Sequence, residues 1–338
     1  MRKQNCLWEI FCFAVATLLV LSGSASADTC RPLPLAYTEV SVGSAVGRDY
    51  ATLAAAEDAT DTDCVAGSKG WVITMYPDSA SYDQTVVISG ATSNVNYRRV
   101  FRAAPGYERQ VVIDSTSVQD TIGGTIYVSA EDYVGLYDLT VKFHVNDDVV
   151  CKALMVAASN TWVVGCVIGP LLNTNAAGGI GLQLYGSSRS ISVTNTVFQG
   201  ALGTDNLYGV VCASGSAITF NNNVIYKWST AWYGVGATSG TATNCIFDDN
   251  TTEVWTNGPT FASCIRNADG FNAFVDAAAG NFKITSSATT AINQGADMSA
   301  TYTDDMFGYT RPTGAAFDIG VHEYQPPAGG TGWVWFVN

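Results

Sequence analysis

A short apolar pattern recurs through the middle of the chain, and its spacing restricts the fold more than any other feature of the sequence. Its five copies are Gly165–Ile168, Asn195–Phe198, Asn222–Ile225, Asn244–Phe247 and Ser263–Arg266. The steps between successive copies are 30, 27, 22 and 19 residues. Such a step is too long for a hairpin and too short for a βαβ unit, but it matches one coil of a solenoid. The sequence therefore predicts stacked β-coils.

A short helix is predicted before the first coils. Thr52 is a candidate N-cap, and Leu53 and Ala56 fall on one face of the residues that follow it. We expect this helix to cover the open end of the first coil, which would otherwise template edge pairing. From about Thr125 the coils become regular. The strands predicted between the helix and that point are Trp71–Tyr76, Thr85–Ile88, Arg99–Ala103 and Val111–Asp114.

Three copies of the pattern begin with asparagine. Asn195, Asn222 and Asn244 share one position, and asparagine tolerates the left-handed backbone that a sharp turn requires. Stacked asparagine side chains can also hydrogen-bond along a solenoid. The aliphatic and aromatic residues that follow them are expected to point inward and form the core.

The first 27 residues resemble an export signal. Arg2 and Lys3 precede the apolar run Phe11–Leu21, and Ala25–Ala27 offers a cleavage site between small residues. An uncleaved anchor is the alternative, but the run is shorter than the ~20 residues that a spanning helix needs. We therefore expect a protein that is secreted or held at the cell surface, with no membrane span after cleavage.

The charge balance restricts the partners. The formal net charge is −13, and only 13% of residues are charged, against about 25% in an ordinary domain. Nucleic acids and anionic lipid surfaces both require clusters of Lys and Arg that the sequence lacks. We therefore expect neither of these as a partner, and an uncharged polar surface fits an extended β-solenoid.

Three stretches carry a family resemblance. They are Val42–Leu53, the asparagine-containing coils, and Phe274–Tyr324, which we call the closing segment. Together they resemble the pectate-lyase-like family of right-handed parallel β-helices, which includes secreted bacterial and phage-associated proteins. The closing segment is the most specific of the three and is similar to the part that precedes a surface-anchor tail in such proteins. Its motifs are Phe274–Asp276, Asn281–Ile284, Ala291–Gly295, Gly308–Pro312 and Phe317–Tyr324.

The resemblance implies an all-β fold, a single right-handed parallel β-helix with a short N-terminal capping helix. We expect the closing segment to form a terminal cap in which Phe282 and Ile284 supply a last coil strand and Arg311 pairs with Asp318 or Glu323. The expected organisation is residues 1–27 as signal peptide, 28–124 as N-terminal cap and first coils, 125–324 as regular helix with closing segment, and 325–338 as linker and apolar tail.

The tail after the closing segment has two parts. Pro326–Gly330 has the composition of a linker, and Trp333–Val337 is a compact apolar run. The run is expected to fold back on the solenoid or to add a strand to a partner, and the sequence leaves both alternatives open.

Seven of the nine cysteines follow the predicted signal peptide. An exported chain usually meets an oxidising compartment, so disulfides are allowed and an odd count leaves at least one thiol unpaired within the chain. Cys30 and Cys64 are the expected disulfide. Cys166, Cys245 and Cys264 share one position in different coils and are expected to be small buried fillers.

One functional hypothesis is a polysaccharide lyase, which the resemblance implies. Such lyases use acidic side chains to hold Ca²⁺ against a uronate and a basic residue to remove the α-proton. The candidates are Lys142, His144, Asp147 and Asp148, which follow a strand and enter a loop. The alternative is a solvated loop. No metal-ligand spacing is found among the Cys and His residues.

Two acidic pairs elsewhere in the sequence bear on metal binding and hydrolysis. Asp304 and Asp305 could hold Ca²⁺, although adjacent acids in a turn are commonly just solvated. A glycoside hydrolase needs two carboxylates facing each other across a groove. Asp248 and Asp249 are adjacent and would point to opposite faces of a strand, so they give no support to a hydrolase.

The hypothesis we favour from the sequence is a module that contacts carbohydrate or builds surface structure without catalysis. Trp228, Trp232, Tyr233 and Trp255 fall in successive coils, where aromatic faces could stack on sugar rings of an extracellular polysaccharide or surface glycan. The alternative is that they fill the interior. A purely structural surface or virion element is a third possibility, and it would bind no ligand and could form a trimer. The sequence leaves the oligomeric state open.

Overall fold

The chain winds repeatedly through three parallel sheets, so the predicted solenoid is confirmed as a parallel β-helix. The computed structural model describes residues 31–78, 81–115, 124–145, 150–173, 178–200, 206–236, 238–254 and 256–326. We number the sheets 1, 2 and 3 in the order in which each coil visits them. Between the first strand and the last coil, each strand pairs with the strand three places further along the chain, as a solenoid of three-strand coils requires.

Successive coils build each sheet strand by strand. Sheet 1 contains β1 Tyr37–Val42, β2 Gly70–Met75, β5 Arg99–Ala103, β8 Val134–Tyr137, β11 Thr161–Val164, β14 Ser190–Thr194, β17 Ala217–Asn221, β20 Ser239–Thr243 and β23 Thr260–Ala262. Sheet 2 contains β3 Tyr82–Asp83, β6 Val112–Ser115, β9 Thr140–Val145, β12 Val167–Asn173, β15 Val197–Gln199, β18 Val224–Tyr226 and β21 Ile246–Asp248. Sheet 3 contains β4 Val86–Ile88, β7 Ile126–Val128, β10 Cys151–Val156, β13 Gly179–Leu184, β16 Asn206–Cys212, β19 Thr230–Gly234 and β22 Thr252–Val254. The remaining elements are helix α1 Leu53–Thr60, a 3-10 turn Asn267–Asp269, and the hairpin strands β24 Phe274–Asp276 and β25 Asn281–Ile284.

Strand alternation divides the repeated pattern between two cores. Phe198 and Ile225 point into the interior of the coils. Val197 and Val224, which precede them, point out of sheet 2 and pack under the closing segment. The prediction that all these residues point inward is therefore wrong for the valines, because successive side chains of a strand point to opposite faces.

The turn from sheet 1 to sheet 2 has a left-handed backbone residue in seven successive coils. The prediction is confirmed for Asn195, Asn222 and Asn244, whose φ values are 49°, 52° and 54°. Each turn also bonds to the next, and the Asn222 N–H donates to Thr243 O at 2.9 Å. We call the residues at this position the corner ladder: Arg109, Asp138, Gly165, Asn195, Asn222, Asn244 and Ser263.

A neighbouring asparagine makes the side-chain bonds that link coils. The Asn223 Oδ1 accepts a hydrogen bond from the Thr196 N–H at 2.8 Å, and its Nδ2 donates to Val193 O at 2.9 Å. Asn222 is buried, and its amide group has no hydrogen-bond partner in the described structure. The predicted stack of corner-ladder asparagines is therefore not observed, because the side chains of Asn195 and Asn244 bond to the closing segment.

Helix α1 has the predicted role at the N-terminal end. The Thr52 Oγ1 accepts a hydrogen bond from the Ala55 N–H at 3.2 Å, which confirms the N-cap. Leu53 and Ala56 are fully buried in the solenoid core. The helix therefore covers the interior at the first coil.

The closing segment lies along the flank of sheet 2. Phe282 and Ile284 are in β25, which pairs antiparallel with β24, so the prediction of a last coil strand there is wrong. Their side chains pack with Met306 and Val321 against the outward apolar residues of sheet 2. The outward apolar residues of sheet 2 would otherwise face solvent. A segment along the flank of the sheet buries them, whereas a cap on the end of the solenoid would leave them exposed.

The closing segment also bonds to the corner ladder. The Asn244 side chain accepts a hydrogen bond from the Ala296 N–H at 2.7 Å and donates to Ala296 O at 2.9 Å. Two coils earlier, the Asn195 Nδ2 donates to Asp304 O at 3.1 Å. Tyr302 packs between these points on the outer face of sheet 1. The segment thus runs back along the solenoid toward its N-terminal half.

Arg311 holds the closing segment together from within. Its side chain is fully buried, and its Nε lies 4.0 Å from the Glu323 Oε2, so the predicted pairing is confirmed for Glu323. Its Nη1 and Nη2 donate to Asp318 O at 3.3 Å and Gly320 O at 2.7 Å. Asp318 therefore contributes its backbone carbonyl, not its carboxylate.

The cysteines of the repeated pattern have free thiols in the described structure. Cys166 and Cys245 are buried, as predicted for small fillers, whereas Cys264 is half-buried. Cys64 is also buried. Cys30 lies outside the described residues, so the disulfide between Cys30 and Cys64 stays a prediction. The signal peptide, residues 1–27, and the tail beyond residue 326 lie outside the described residues too.

Candidate functional site

The two candidate tryptophans in the described residues lie inside the solenoid. Trp228 and Trp232 are 1% and 0% exposed. The Trp228 Nε1 donates to Phe198 O at 3.1 Å, and the Trp232 ring meets the Phe220 ring edge-on at 5.8 Å between centroids. Neither indole can stack on a sugar, so the glycan-binding prediction is wrong for both and the interior alternative holds. Trp255 lies outside the described residues.

Tyr233 is on the outer face of sheet 3, half-buried. Its ring stacks on that of Tyr208 with centroids 5.0 Å apart and an interplanar angle of 21°. One face of each ring is therefore occupied by the other. The pair forms a short aromatic stack between adjacent coils and leaves only part of the Tyr233 ring for a ligand.

Lys142 belongs to a charged row on the outer face of sheet 2. Asp83 is in register with Asp114, and Asp114 is in register with Lys142. The intervening side chains Ile113 and Phe143 are fully buried, so alternation places the charged residues outside. Neighbouring strands are about 4.8 Å apart, which brings two carboxylates and an amine onto adjacent strands.

The other lyase candidates are only partly within the described structure. His144 is in β9, two residues after Lys142, and its backbone is in register with Leu172. Asp147 and Asp148 lie outside the described residues. The structure thus adds Asp83 and Asp114 to the surroundings of Lys142, and the predicted cluster as a whole stays a prediction.

A cleft of about 1020 Å³ lies between the N-terminal end of the described chain, the closing segment and sheet 1. Its walls are residues 31–35, the outer face of sheet 1, the loop around residue 108 and the closing segment. We call it the seam cleft. Its lining residues are Arg31, Pro32, Leu33, Pro34, Leu35, Arg102, Ala103, Pro105, Glu108, Arg109, Tyr137, Asp138, Asp304, Met306, Phe307 and Gly308.

Arg31 links three parts of the chain at the seam cleft. Its Nε and Nη2 donate to the two carboxylate oxygens of Asp138 at 3.0 and 2.9 Å, a bidentate geometry that fixes the guanidinium. Its Nη1 donates to the Asp304 Oδ2 at 3.0 Å. Burial raises the pKa of Asp138, and the charge of Arg31 opposes that rise. One arginine therefore links the N-terminal segment, the corner ladder and the closing segment.

Arg109 forms the inner wall of the cleft. Its Nη1 donates to Met306 O at 2.6 Å and lies 3.9 Å from the Asp138 Oδ1. Burial lowers its pKa, while Asp138 opposes that change. Its guanidinium carbon lies 5.5 Å from the centre of the Phe307 ring. Phe307 is half-buried and lines the cleft.

Arg102 lies at the rim of the cleft. Its Nη2 donates to the Glu39 Oε1 at 2.9 Å and its Nε to the Thr74 Oγ1 at 3.2 Å. The Arg102 side chain is 21% exposed and that of Glu39 43% exposed. Donors and acceptors are thus fixed side by side at the opening, next to the apolar wall formed by Leu33 and Pro34.

Asp304 and Asp305, for which the sequence left Ca²⁺ binding or simple solvation open, are both engaged by other groups of the protein. The Asp305 Oδ1 accepts hydrogen bonds from the N–H groups of Phe307 and Tyr309 at 2.7 and 2.8 Å, and its Oδ2 accepts from the Glu323 N–H at 2.7 Å. Asp304 is engaged by Arg31. Both carboxylates therefore serve the protein's own structure. Within the described ranges no group of three or more His, Cys, Asp or Glu residues is arranged to hold a metal.

The seam cleft was not predicted from the sequence, although one signal was present. Arg109 and Asp138 hold the corner-ladder position in its first two coils, whereas the next four coils have Gly or Asn there. Both have the left-handed backbone, with φ values of 62° and 60°. A charged residue at a position that favours Gly or Asn is a departure from the repeat. Here the two departures belong to residues that bond to parts of the chain outside the coils, Arg109 to Met306 and Asp138 to Arg31.

Comparisons with known proteins give a distant likeness only. No protein-family profile matches the chain, and no curated protein matches it. The crystal structure of Escherichia coli YbhC is similar with a TM-score of 0.42 and 16% identity, over 67% of this chain and 66% of that chain. Less than two thirds of that chain is therefore spanned. Among the described helices none has the length and hydropathy to cross a membrane.

Proposed function

We propose that this β-helix binds an uncharged extracellular glycan in the seam cleft. The observation that carries the proposal is the composition of the cleft, in which three arginines face three carboxylates beside proline, leucine and phenylalanine side chains. Fixed donors and acceptors next to apolar walls suit a ligand with hydroxyl groups and apolar ring faces. A volume of about 1020 Å³ accommodates several sugar units.

Charge favours a neutral over an acidic glycan. The arginines are already paired, Arg31 with Asp138 and Asp304, and Arg102 with Glu39. The whole chain carries a formal net charge of −13, which repels polyanions at a distance. A neutral polymer meets no such repulsion and can accept from the guanidinium N–H groups or donate to the carboxylates.

The proposal is tested by measuring retention of the chain on immobilised polysaccharides. The probes are a neutral β-glucan, polygalacturonate and alginate. Arg102→Ala and Phe307→Ala should weaken retention on the neutral polymer by about tenfold each, the equivalent of one good contact. Tyr185→Ala is the matched control, because Tyr185 is 52% exposed and lies outside the cleft. Equal retention of all four proteins would overturn the proposal.

The charged row on sheet 2 supports a second candidate, acid–base turnover of a polysaccharide. Asp83, Asp114 and Lys142 lie on three adjacent strands, and a carboxylate beside an amine can hold and transfer a proton. The chain would be incubated with pectic, alginate-like and neutral polysaccharides, with and without added Ca²⁺. Unsaturated product and new reducing ends would be followed together. Turnover that Lys142→Met and Asp114→Asn both abolish would establish catalysis, whereas retention without turnover would leave binding alone.

A further inference from the structure

The two ends of the solenoid differ in how their cores are covered. At the N-terminal end Leu53 and Ala56 of α1 are 1% and 0% exposed. At the other end three inward-pointing residues of the last coil are only half-buried, and we call them the open end: Val254, Phe261 and Cys264. One coil earlier the residues in the same stacks are fully buried: Trp232, Ala242 and Cys245.

The backbone at the open end is uncovered as well. β22 and β23 are the terminal strands of sheets 3 and 1, and no described strand pairs with their outer edges. The outer edge of sheet 2 is partly used, because the Phe247 N–H donates to Ile265 O at 3.0 Å. Unpaired strand edges beside apolar side chains favour the addition of another strand.

The described part of the closing segment does not provide this cover. It packs on the outward residues of sheet 2 and on the corner ladder. In the described structure the Arg266 guanidinium lies over the Phe261 ring at the open end, with its carbon 4.0 Å from the ring centre. Arg266 is exposed, and its charge cannot replace an apolar cap.

We propose that residues 333–337 of the same chain dock on the open end as an added strand. Their sequence, Trp333-Val334-Trp335-Phe336-Val337, is apolar at every position and β-branched or aromatic throughout, as a strand against an apolar surface and an unpaired edge requires. The proposal resolves the alternative that the sequence left open between folding back and joining a partner.

The position of the closing segment puts the tail within reach. The Gly320 N–H donates to Asn244 O at 2.8 Å, and the Asn244 N–H donates to Ala262 O at 3.1 Å in the last coil. The closing segment therefore passes one strand spacing from the open end, about 4.8 Å. Residues 327–332 separate the last described residue from the proposed strand, and an extended chain of that length spans up to about 20 Å.

Connection through a short linker favours the chain's own tail over that of a second copy. Tethering gives the tail an effective concentration in the millimolar range, which exceeds the concentration of a second copy in dilute solution. The linker contains Gly329 and Gly330, and glycine permits backbone conformations that other residues rarely adopt.

Cys264 provides a direct test, because it is half-buried at the open end whereas Cys64, Cys151, Cys166, Cys212 and Cys245 are buried. In a Cys30→Ser background, Val334→Cys and Trp335→Cys would be made separately, so that one of the two positions faces the open end. Mild oxidation by dissolved oxygen, which takes two electrons and two protons from the thiols, should form a Cys264 disulfide within one chain. Cys264→Ala is the control that should abolish it.

A second measurement follows the reactivity of Cys264 itself. A maleimide should modify Cys264 roughly tenfold faster in a chain stopped after Gln325 than in the full chain, since the tail shields it. Trp333→Ser with Trp335→Ser, at full length, should give the same acceleration if the stopped chain does not fold. Disulfides formed only between chains would assign the open end to a second copy. Equal labelling rates with no disulfide would show that the tail lies elsewhere. Either result overturns the proposal.

Discussion

Arg99 and Glu131 form an ion pair in which neither side chain has any solvent-exposed surface. The Arg99 Nε donates to the Glu131 Oε2 at 2.9 Å, and its Nη2 also donates to the Glu57 Oε1 of α1 at 2.9 Å. One buried cation thus satisfies two carboxylates from different elements. It fixes the capping helix to the first complete coils.

Replacing Arg99 by alanine is expected to destabilise the protein by about 3–5 kcal/mol, because two carboxylates are left buried without a cation. Urea denaturation followed by circular dichroism measures the change. Arg102→Ala is the matched control, since its pair with Glu39 is partly exposed and exposed pairs contribute up to about 1 kcal/mol. A similar midpoint for both variants would contradict the buried network.

Asn222 and Asn244 hold the same position one coil apart, with φ values of 52° and 54°. Among the described residues the Asn222 amide group has no hydrogen-bond partner, whereas that of Asn244 bonds to Ala296. Asn244→Gly should cost about 1–3 kcal/mol, because two hydrogen bonds to Ala296 are lost. Asn222→Gly should be neutral or stabilising by up to about 1 kcal/mol, because it removes a buried amide that lacks partners.

Glycine adopts the left-handed backbone at both positions, so its cost in the unfolded chain is the same in the two variants and cancels in the comparison. Thermal melts of the two proteins provide the measurement. Equal losses would show that the closing segment does not depend on the Asn244 contacts.

The coils could be predicted from the sequence because their signals are local. Each Asn-containing turn is followed by a short β-branched strand, and the N-cap at Thr52 requires only its own neighbours. The sequence also contains a local signal for the docking of the closing segment. In Val197-Phe198 and Val224-Ile225 both positions are apolar, which is the pattern of a sheet buried on both faces. The same pattern would also arise if both residues belonged to the solenoid core. The sequence alone does not separate these alternatives, because the closing segment that covers the valines lies far along the chain.

The seam cleft could not be predicted, because its chemistry depends on contacts between distant parts of the chain. Arg31 meets Asp138 and Asp304, which lie 107 and 273 residues away in sequence. No spacing rule applies to such pairs. The prediction for the tryptophans is wrong for the opposite reason, since an aromatic residue next to a turn has the same local pattern whether it points inward or outward.

His322 should make the closing segment sensitive to acid. Its Nδ1 accepts a hydrogen bond from the Ile284 N–H at 3.1 Å, and burial, with Lys283 and Arg311 nearby, lowers its pKa from 6.5 to about 4. The unfolded chain takes up the proton first as the pH falls. The stability is therefore complete above about pH 6.5 and decreases toward pH 4, by up to about 3 kcal/mol.

The test compares urea midpoints of the wild type and His322→Gln at pH 7.5 and 4.5. Glutamine keeps an acceptor but has no charge to gain, so the difference between the proteins should shrink or reverse at the lower pH. A constant difference would show that His322 does not titrate with unfolding.

Asp248 should give the opposite pH dependence. It is 8% exposed at the end of β21, and burial, with the charge of Asp249, raises its pKa from 3.8 to about 6. Here the folded chain holds the proton more tightly, so stability decreases as the pH rises from about 4 to 6 and stays low above it. Asp248→Asn should therefore raise the free energy of unfolding at pH 8 by about 1–2 kcal/mol, less than the full shift because some solvent reaches the group.

At pH 4 the same substitution should have a much smaller effect, because the Asp248 carboxyl is then protonated in the folded protein and is about two fifths protonated in the unfolded chain. Asp249→Asn is the control. Asp249 is 57% exposed, and removing its charge should lower the pKa of Asp248 only in part, since burial is the larger cause. Urea midpoints between pH 4 and 8 distinguish the two variants. A gain for Asp248→Asn that is equal at both pH values would attribute the effect to packing and not to the buried charge.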